Sequence, residues 1–488
     1  MSSLRRAVAV LGAVSFVGTA TQVAKGKIGA LLLGAAGVGV LNQLTTVYSI
    51  LFIVAGLGFF NGMIHRITIA IENGDSTMVR EQINSVLLFL CVTSLLVVAG
   101  CFATADLISD LLFADGGERA AYVRAVVLAV PIAVLQRVFR AYLSAKRDLK
   151  ALARAQTAAD VSSVLLFAVG VSIFGIWGAV CAFVSMHALL LMGMATYSVR
   201  SGGVGLVIPR LAWFRWREIA PNFGYGVNAL IATAAASGVA IIIGRLIIAH
   251  YGLAAAGIFA VASKVATVYL GALYSAASSY YFPTLIRAVT RERLEADANA
   301  AVALYMTILP LAMLCLIALG DILIPLLFSE EFRPAVMVMA GLLLGDIFRV
   351  TSETIGLTML ARQHLTTCTM LYLLYSAGFV LLSWWLLPEH GLLGVAYAYL
   401  VMRALDFVLI LLACRMTLDI GLTSHGMKPL ALAFFVVAPM VVAEILQASQ
   451  MSKIILAGAL SLCWVALGWN LPEQLRIRQM LIRRLASQ

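Results

Sequence analysis

Fourteen apolar stretches, most of about 20 residues or more, follow one another along this chain with only short polar breaks between them. Their limits are 7–33, 38–61, 82–103, 120–144, 153–173, 176–199, 221–248, 255–282, 299–328, 335–361, 366–387, 392–414, 429–446 and 454–469. About 20 apolar residues is what an α-helix needs to cross a bilayer, where each backbone polar group must be satisfied within the segment. The pattern predicts an all-α polytopic membrane protein with about 14 transmembrane helices. Composition agrees, because 62% hydrophobic and 12% charged residues cannot cover a water-facing surface. A soluble enzyme is excluded. The first stretch follows Arg5 and Arg6 and runs past Ala20 to Leu33, so it reads as a retained helix rather than a cleaved signal.

The polar breaks alternate in charge. With the N-terminus in the cytoplasm, 22 Lys+Arg fall on the side of the two termini and only Arg119, Arg333 and Lys453 on the other. The positive-inside rule then predicts both termini cytoplasmic in a multi-pass protein. The seven cysteines form no CxxC pair, and the six histidines are scattered, which supports neither a disulfide framework nor a zinc site. Walker A, Rossmann and HExxH words are absent from the sequence, so no nucleotide chemistry, cofactor or nucleic-acid partner is expected.

Internal similarity is visible residue by residue. Asp106-Leu-Ile-Ser-Asp-Leu-Leu-Phe113 matches Asp321-Ile-Leu-Ile-Pro-Leu-Leu-Phe328 at an offset of 215, and Gly175-Ile-Trp-Gly-Ala179 matches Gly391-Leu-Leu-Gly-Val395 at 216. An offset of six stretches preserves orientation, so the expectation is two parallel six-helix repeats. The expected domains are an N-terminal lobe over 1–200, a basic cytoplasmic linker over 201–219, a C-terminal lobe over 220–418, and an extra helix pair with a basic cytoplasmic tail over 419–488. Trp213 and Trp216 beside Arg215 and Arg217 suit an interfacial linker.

Besides Arg154 at the edge of the fifth stretch, counted with the preceding break, nine cations fall inside the stretches: Lys25, Lys27, Arg124, Arg137, Arg140, Arg245, Lys264, Arg349 and Arg403. Each costs about 2.5–3.5 kcal/mol at mid-bilayer on insertion scales. Besides Asp321 toward the end of the ninth stretch, the embedded acids are five, Asp160, Asp346, Glu353, Asp406 and Glu444. The surplus points to a hydrated cationic cavity between the halves, built for an anion. Arg403 and Asp406, three apart, read as a local pair. Asp346, Arg349 and Glu353 share a helix face, as either a structural cluster or a proton or cation site. Arg124 reads as snorkelling, and Arg137 and Arg140 either snorkel or face the cavity. Lys25 and Lys27 point to different sides of one helix. Lys27 and Arg245 are 218 apart, close to the repeat offset, which places them, with Lys264, as substrate-facing candidates.

Several words resemble a known family. Leu33-Gly-Ala-Ala-Gly-Val-Gly39, Gly56-Leu-Gly-Phe-Phe-Asn-Gly-Met63, Tyr281-Phe-Pro-Thr-Leu285, Gly345-Asp-Ile-Phe-Arg349 and His390-Gly-Leu-Leu-Gly394 resemble the Wzx-type polysaccharide repeat-unit flippases. These belong to the multidrug/oligosaccharidyl-lipid/polysaccharide superfamily, and the resemblance runs over roughly residues 5 to 415. It implies two six-helix lobes forming a V around a cavity that opens alternately to each side. It also implies a substrate of undecaprenyl diphosphate carrying a short oligosaccharide, moved from the cytoplasmic to the periplasmic leaflet of a bacterial inner membrane for exopolysaccharide, capsule or O-antigen synthesis. Lys27 matches a cation of the family's first helix, Arg245 one of the seventh, and Asp346 with Arg349 an acidic–basic pair of the tenth. The substrate-binding set so expected is Lys27, Arg245, Lys264 and Arg349, joined by Lys25, Arg137 and Arg140. Asp346 and Glu353 are candidates for coupling to a proton or sodium gradient. Membrane lipids, a polysaccharide polymerase and a co-polymerase are the implied partners.

The sequence departs from the family in having Gly34-Ala35 for its Gly-Pro, and in two stretches beyond the twelve of the O-antigen type. Lipid II flippases have fourteen. The alternatives are therefore a lipid II-type flippase or a multidrug exporter of the same superfamily, and, in another class, a polysaccharide polymerase or ligase. The last needs a large external catalytic loop, whereas the longest external break covers only about 103–119.

Overall fold

The computed structural model describes residues 2–203, 210–288 and 290–468; residues 204–209 of the linker and the basic tail after residue 468 lie outside the described residues. The chain forms α1 (Ser2–Gly56), α2 (Phe60–Glu72), α3 (Ser76–Ala103), α4 (Ala105–Phe113), α5 (Ala120–Val127), α6 (Ala129–Ala145), α7 (Leu149–Phe174) and α8 (Ile176–Ser198). There follow α9 (Trp216–Arg287), α10 (Arg291–Ala318), α11 (Gly320–Leu327), α12 (Ala335–Ala361), α13 (Leu365–His390), α14 (Leu392–Leu418), α15 (Ser424–Ile445) and α16 (Gln450–Gly468). The protein is an all-α polytopic membrane protein.

Among the described residues, 12 helices are long and apolar enough to cross a membrane, where the sequence separates fourteen stretches. The difference lies at two glycines. Stretches 1 and 2 run on within α1 and are interrupted only at Gly34 (φ 64, ψ −174), and stretches 7 and 8 run on within α9, interrupted only at Gly252 (φ 80, ψ 179). Positive φ with extended ψ is a region that glycine alone occupies at little cost. A one-residue break needs no polar loop. The 43 apolar residues Val14–Gly56 would span about 65 Å as one straight helix, twice the thickness of a hydrocarbon core. Lys25 and Tyr48 would then stand about 35 Å apart, yet they touch neighbouring residues of α8, Met186 and His187. The chain therefore doubles back at Gly34.

Packing divides the chain into two compact units, Met1–Gly257 and Ile258–Gln488. In the first, α7 and α8 form a hairpin through Gly175 (φ 57) and press together at Gly170 and Gly178. A Cβ built on Gly178 would lie 1.8 Å from the Gly170 carbonyl oxygen. Asp75 and Asp148 cap α3 and α7 by accepting from the backbone N–H of Met78 and Ala151, satisfying donors that a helix start leaves open. Pro131 lacks the N–H that would bond back into the preceding turn, and α5 gives way to α6 just before it. The described part of the linker is fastened to α3. The Asn84 side chain accepts from the Arg210 N–H at 2.7 Å and donates to the Arg210 carbonyl at 2.9 Å, and the Trp213 ring lies under the guanidinium groups of Arg80 and Arg210, each 4.9 Å from its centre.

The second unit is built around α12, whose apolar window is 83% buried by α10, α14 and α15. Lys453 corrects the sequence reading. Taken there for an external loop cation, it sits inside α16 at 3% exposure, with its ammonium 2.6 Å from both Asp321 of α11 and Glu444 of α15. Its charge is offset locally, and the embedded acid Glu444 has its partner. Trp464, fully buried, donates its indole N–H to the Thr307 carbonyl of α10 at 3.2 Å. Between the units the order of elements recurs: α3 and α10 begin at Ser76 and Arg291, α4 and α11 at Ala105 and Gly320, α8 and α14 at Ile176 and Leu392.

Candidate functional site

A cavity of about 770 Å³ opens within the first unit. Because α1 folds back at Gly34, both of its arms reach it, bringing Gln22 and Lys25 from one and Tyr48 and Phe52 from the other; α6 supplies Gln136, Arg137 and Arg140, α7 supplies Gln156 and Asp160, and α8 supplies Met186 and His187. Lys25 donates to the Ser163 hydroxyl at 3.1 Å and reaches Met186 Sδ at 3.6 Å, while Ser163 itself donates to the Asp160 carbonyl. The ammonium is thus anchored across three helices. The Arg137 guanidinium lies 4.9 and 5.0 Å from the ring centres of Phe52 and Phe60. Ring faces stabilise its charge without consuming the in-plane N–H donors. Asp160, 8% exposed, accepts from Gln156 on both oxygens at 3.1 Å.

Three cations and one carboxylate leave the lining with a positive excess. An anion of two or more charges would meet its counter-charges here in a low-dielectric setting, where such pairing is strong.

The structure brings together Lys25, Arg137 and Arg140 from the expected substrate set. Lys27, two residues beyond Lys25, is half-buried and does not line the cavity, in keeping with the different directions expected of the two lysines. Arg245 is half-buried and donates to the carbonyl of Asp110 near the end of α4, where the helix dipole favours a cation. Lys264 lies in the second unit with its side chain exposed. Arg124 pairs with Asp106 at 2.9 Å.

Arg349 belongs to a separate cluster in the second unit. Its Nε is 3.1 Å from Asp346 and 3.9 Å from Glu353, and Asp346 also accepts the Tyr399 hydroxyl at 2.6 Å. Nearby, Arg403 lies 3.9 Å from the Tyr375 ring centre and 5.3 Å from that of Tyr399, with Asp406 at 3.5 Å. Asp406 accepts from Ser352 at 2.8 Å. Three carboxylates face two guanidinium groups, so the cluster carries one formal negative charge.

Sequence reasoning missed His187, the ring wall of Tyr48, Phe52 and Phe60, and the three glutamines. Gln156 and Asp160 stand four apart on one helix and were within reach of a spacing rule. His187 was not, because its neighbours come from other helices.

Comparison with known proteins agrees with the architecture. A family profile described as "Polysaccharide biosynthesis protein" matches residues 30–337. The lipid III flippase of Escherichia coli (strain K12) is 24% identical over 385 residues, 79% of this chain and 91% of that protein, and the lipid III flippase of Shigella flexneri matches equally. Among solved structures, the lipid II flippase MurJ in an inward closed conformation has a TM-score of 0.73 at 12% identity, covering 95% of this chain and 98% of that one. An inward-facing multidrug resistance MATE family transporter of the MOP superfamily has a TM-score of 0.69 at 17% identity, over 82% and 94% of the two chains. These neighbours share the fold of this chain. With the family profile covering more than half of its length, this chain belongs to the polysaccharide biosynthesis protein family, and it shares the polytopic membrane fold of these solved structures.

Proposed function

We propose that this protein is a flippase that carries a polyprenyl-diphosphate-linked oligosaccharide from the cytoplasmic to the outer leaflet of a bacterial inner membrane, both termini lying in the cytoplasm. The observation that carries this reading is the gathering of Lys25, Arg137 and Arg140 on one cavity among membrane-crossing helices. A diphosphate is anionic at neutral pH and matches that lining, the sugar occupies the remaining polar volume beside the glutamine amides, and the lipid tail stays in the bilayer. The names of the sequence relatives point the same way.

The recurrence of element starts at spacings of 215 or 216, as from Ser76 to Arg291 and from Ile176 to Leu392, supports two parallel six-helix lobes, 1–200 and 220–418, that rock about the substrate to give alternating access. Lys27, Arg245, Lys264 and Arg349 complete the cationic path in other states of the cycle. Asp346 and Glu353 couple transport to a proton or sodium gradient. Their cluster supports this role through its formal negative charge, which a monovalent cation would neutralise. A lipid II-type cargo is the second reading, favoured by coverage of 95% of the chain by that flippase's fold, including the region of the added helix pair.

Reconstituted protein and a fluorescent-sugar polyprenyl diphosphate provide the test. Translocation measured by quenching from outside the vesicles falls at least tenfold in Lys25→Ala and Arg137→Ala, each losing a charge-assisted contact to the cargo. Full translocation by both variants would overturn the assignment.

A further inference from the structure

His187 lines the cavity on α8, held between the rings of Tyr48 (5.0 Å between centres) and Phe183 (4.9 Å). Both ring nitrogens are buried, and neither has a hydrogen-bond partner among the described residues. A buried polar group without a partner is costly and calls for a physical reason. Phenylalanine or leucine would fill the same slot between two rings at no such cost, and the polar ring stands one residue from Met186, which the Lys25 ammonium touches.

The charged and titratable groups that line the cavity with this ring, from the elements packed on α8, are Lys25 and Tyr48 of α1, Arg137 and Arg140 of α6, and Asp160 of α7. Asp160 is the one carboxylate of the set and is held by Gln156. Within this set a protonated imidazole has three cations against it and no unengaged anion beside it. The neutral ring has a donor and an acceptor that no described residue uses. An anion arriving on Lys25 and Arg137 reverses both conditions at once, since it supplies an acceptor for N–H and the negative charge that makes the imidazolium favourable.

We propose that His187 is a cargo-binding residue of this cavity, rotating about its side-chain bonds to donate to the anionic group and taking up one proton from solution as that group binds. The balance is simple: neutral imidazole gains H⁺, imidazolium pairs with the bound phosphoryl oxygen, and no covalent bond is made or broken. Release of the anion returns the proton to the aqueous side then open, so cargo and proton travel together. This inference rests on the anion-binding reading of the cavity and adds a stoichiometric proton to it.

Farnesyl diphosphate, whose head group is the same diphosphate ester, is the probe, titrated calorimetrically into the full-length protein in lipid nanodiscs at pH 6 and pH 8. Each measurement is repeated in two buffers of different ionisation enthalpy, so that protons taken up are counted directly. The variants are His187→Gln and, as a ring that keeps the stacking, His187→Phe; the probe's own titration is common to all three proteins and cancels in the comparison. At pH 6 the wild type is expected to bind about tenfold tighter than either variant, the scale of one charge-assisted hydrogen bond. By pH 8 the gap closes, and the wild type takes up more protons than the variants at the lower pH. Parallel affinity curves with equal proton counts overturn the role of His187 while leaving the anion site standing, provided that Arg137→Ala still abolishes binding. Binding that Lys25→Ala and Arg137→Ala leave unchanged overturns both.

Discussion

Arg403 shows how a single charge survives inside a helical membrane protein. Its guanidinium lies against two tyrosine rings and reaches Asp406, and Asp406 is steadied by Ser352. Removing one member of such a buried pair strands the other, at a cost of about 3–5 kcal/mol, whereas replacing both by apolar groups is close to neutral. Asp406→Ala should therefore lower thermal stability sharply in detergent, and Arg403→Met combined with Asp406→Leu should recover most of it. Equal losses in the single and double variants would contradict the pairing. The three-residue spacing made this pair legible in the sequence. Tyr399, four residues before Arg403 on α14, was within reach of the same kind of rule; Tyr375 was not, because it comes from α13 and no spacing rule links separate helices.

Outside the membrane-crossing segments, Asp115 makes a second residue-level case. Burial opposes its ionisation, but hydrogen bonds from the Gly117 N–H, the Ser109 hydroxyl and both the side chain and N–H of Arg119 outweigh this and hold its carboxyl below the ordinary range. A carboxyl depressed on folding contributes stability that is fully present above the unfolded value of about 3.9 and is lost as pH falls through the lower folded value. Amide exchange at Gly117 and Arg119 should thus remain protected from pH 7 down to about pH 4 and rise in acid below it. Asp115→Asn should show weak protection throughout, and an unchanged acid profile in that variant would remove Asp115 as the cause.

At the scale of elements, glycine decides where helices break and how near they come. Gly34 combines φ 64 with ψ −174, so Gly34→Ala should cost about 1–3 kcal/mol from backbone strain alone, read as a lowered melting temperature. In Gly178→Ala the new methyl would collide with the Gly170 backbone, so α7 and α8 must move apart; the expected loss is about 1–3 kcal/mol. A wild-type melting temperature in either variant would refute the corresponding geometry. The sequence carried these breaks as glycines between apolar stretches, which is why the stretch limits near residues 34 and 252 are close to right. It could not distinguish a polar loop from a one-residue break, since both interrupt hydropathy alike, and so gave no sign that the two arms of α1 and of α9 meet at single glycines. The linker was legible as basic and aromatic. Its fastening to α3 through Asn84 and Trp213 was not, as those partners stand more than 100 residues apart in the chain.

For the whole molecule, the strongest sequence-borne quantity is the uneven placement of Lys and Arg, and the structure sharpens it. Of the three cations assigned to the sparse side, Lys453 is buried between Asp321 and Glu444, Arg119 is paired with Asp115 and Arg333 with Glu330. That side therefore presents almost no uncompensated positive charge. On the other side Lys150 and Arg154 are exposed and take part in no described salt bridge, so the field that opposes translocation of basic loops acts there. The orientation proposed above puts the break after α4 outside the cell membrane and the start of α7 in the cytoplasm. In a background with the native cysteines replaced by serine or alanine, Glu118→Cys should react with a membrane-impermeant maleimide on intact cells, while Lys150→Cys should react only after permeabilisation. Both sites are exposed, so failure to react reports sidedness rather than burial. The reverse pattern would invert the protein in the membrane and, with it, the direction in which the cargo proposed to bind at Lys25 and Arg137 is carried.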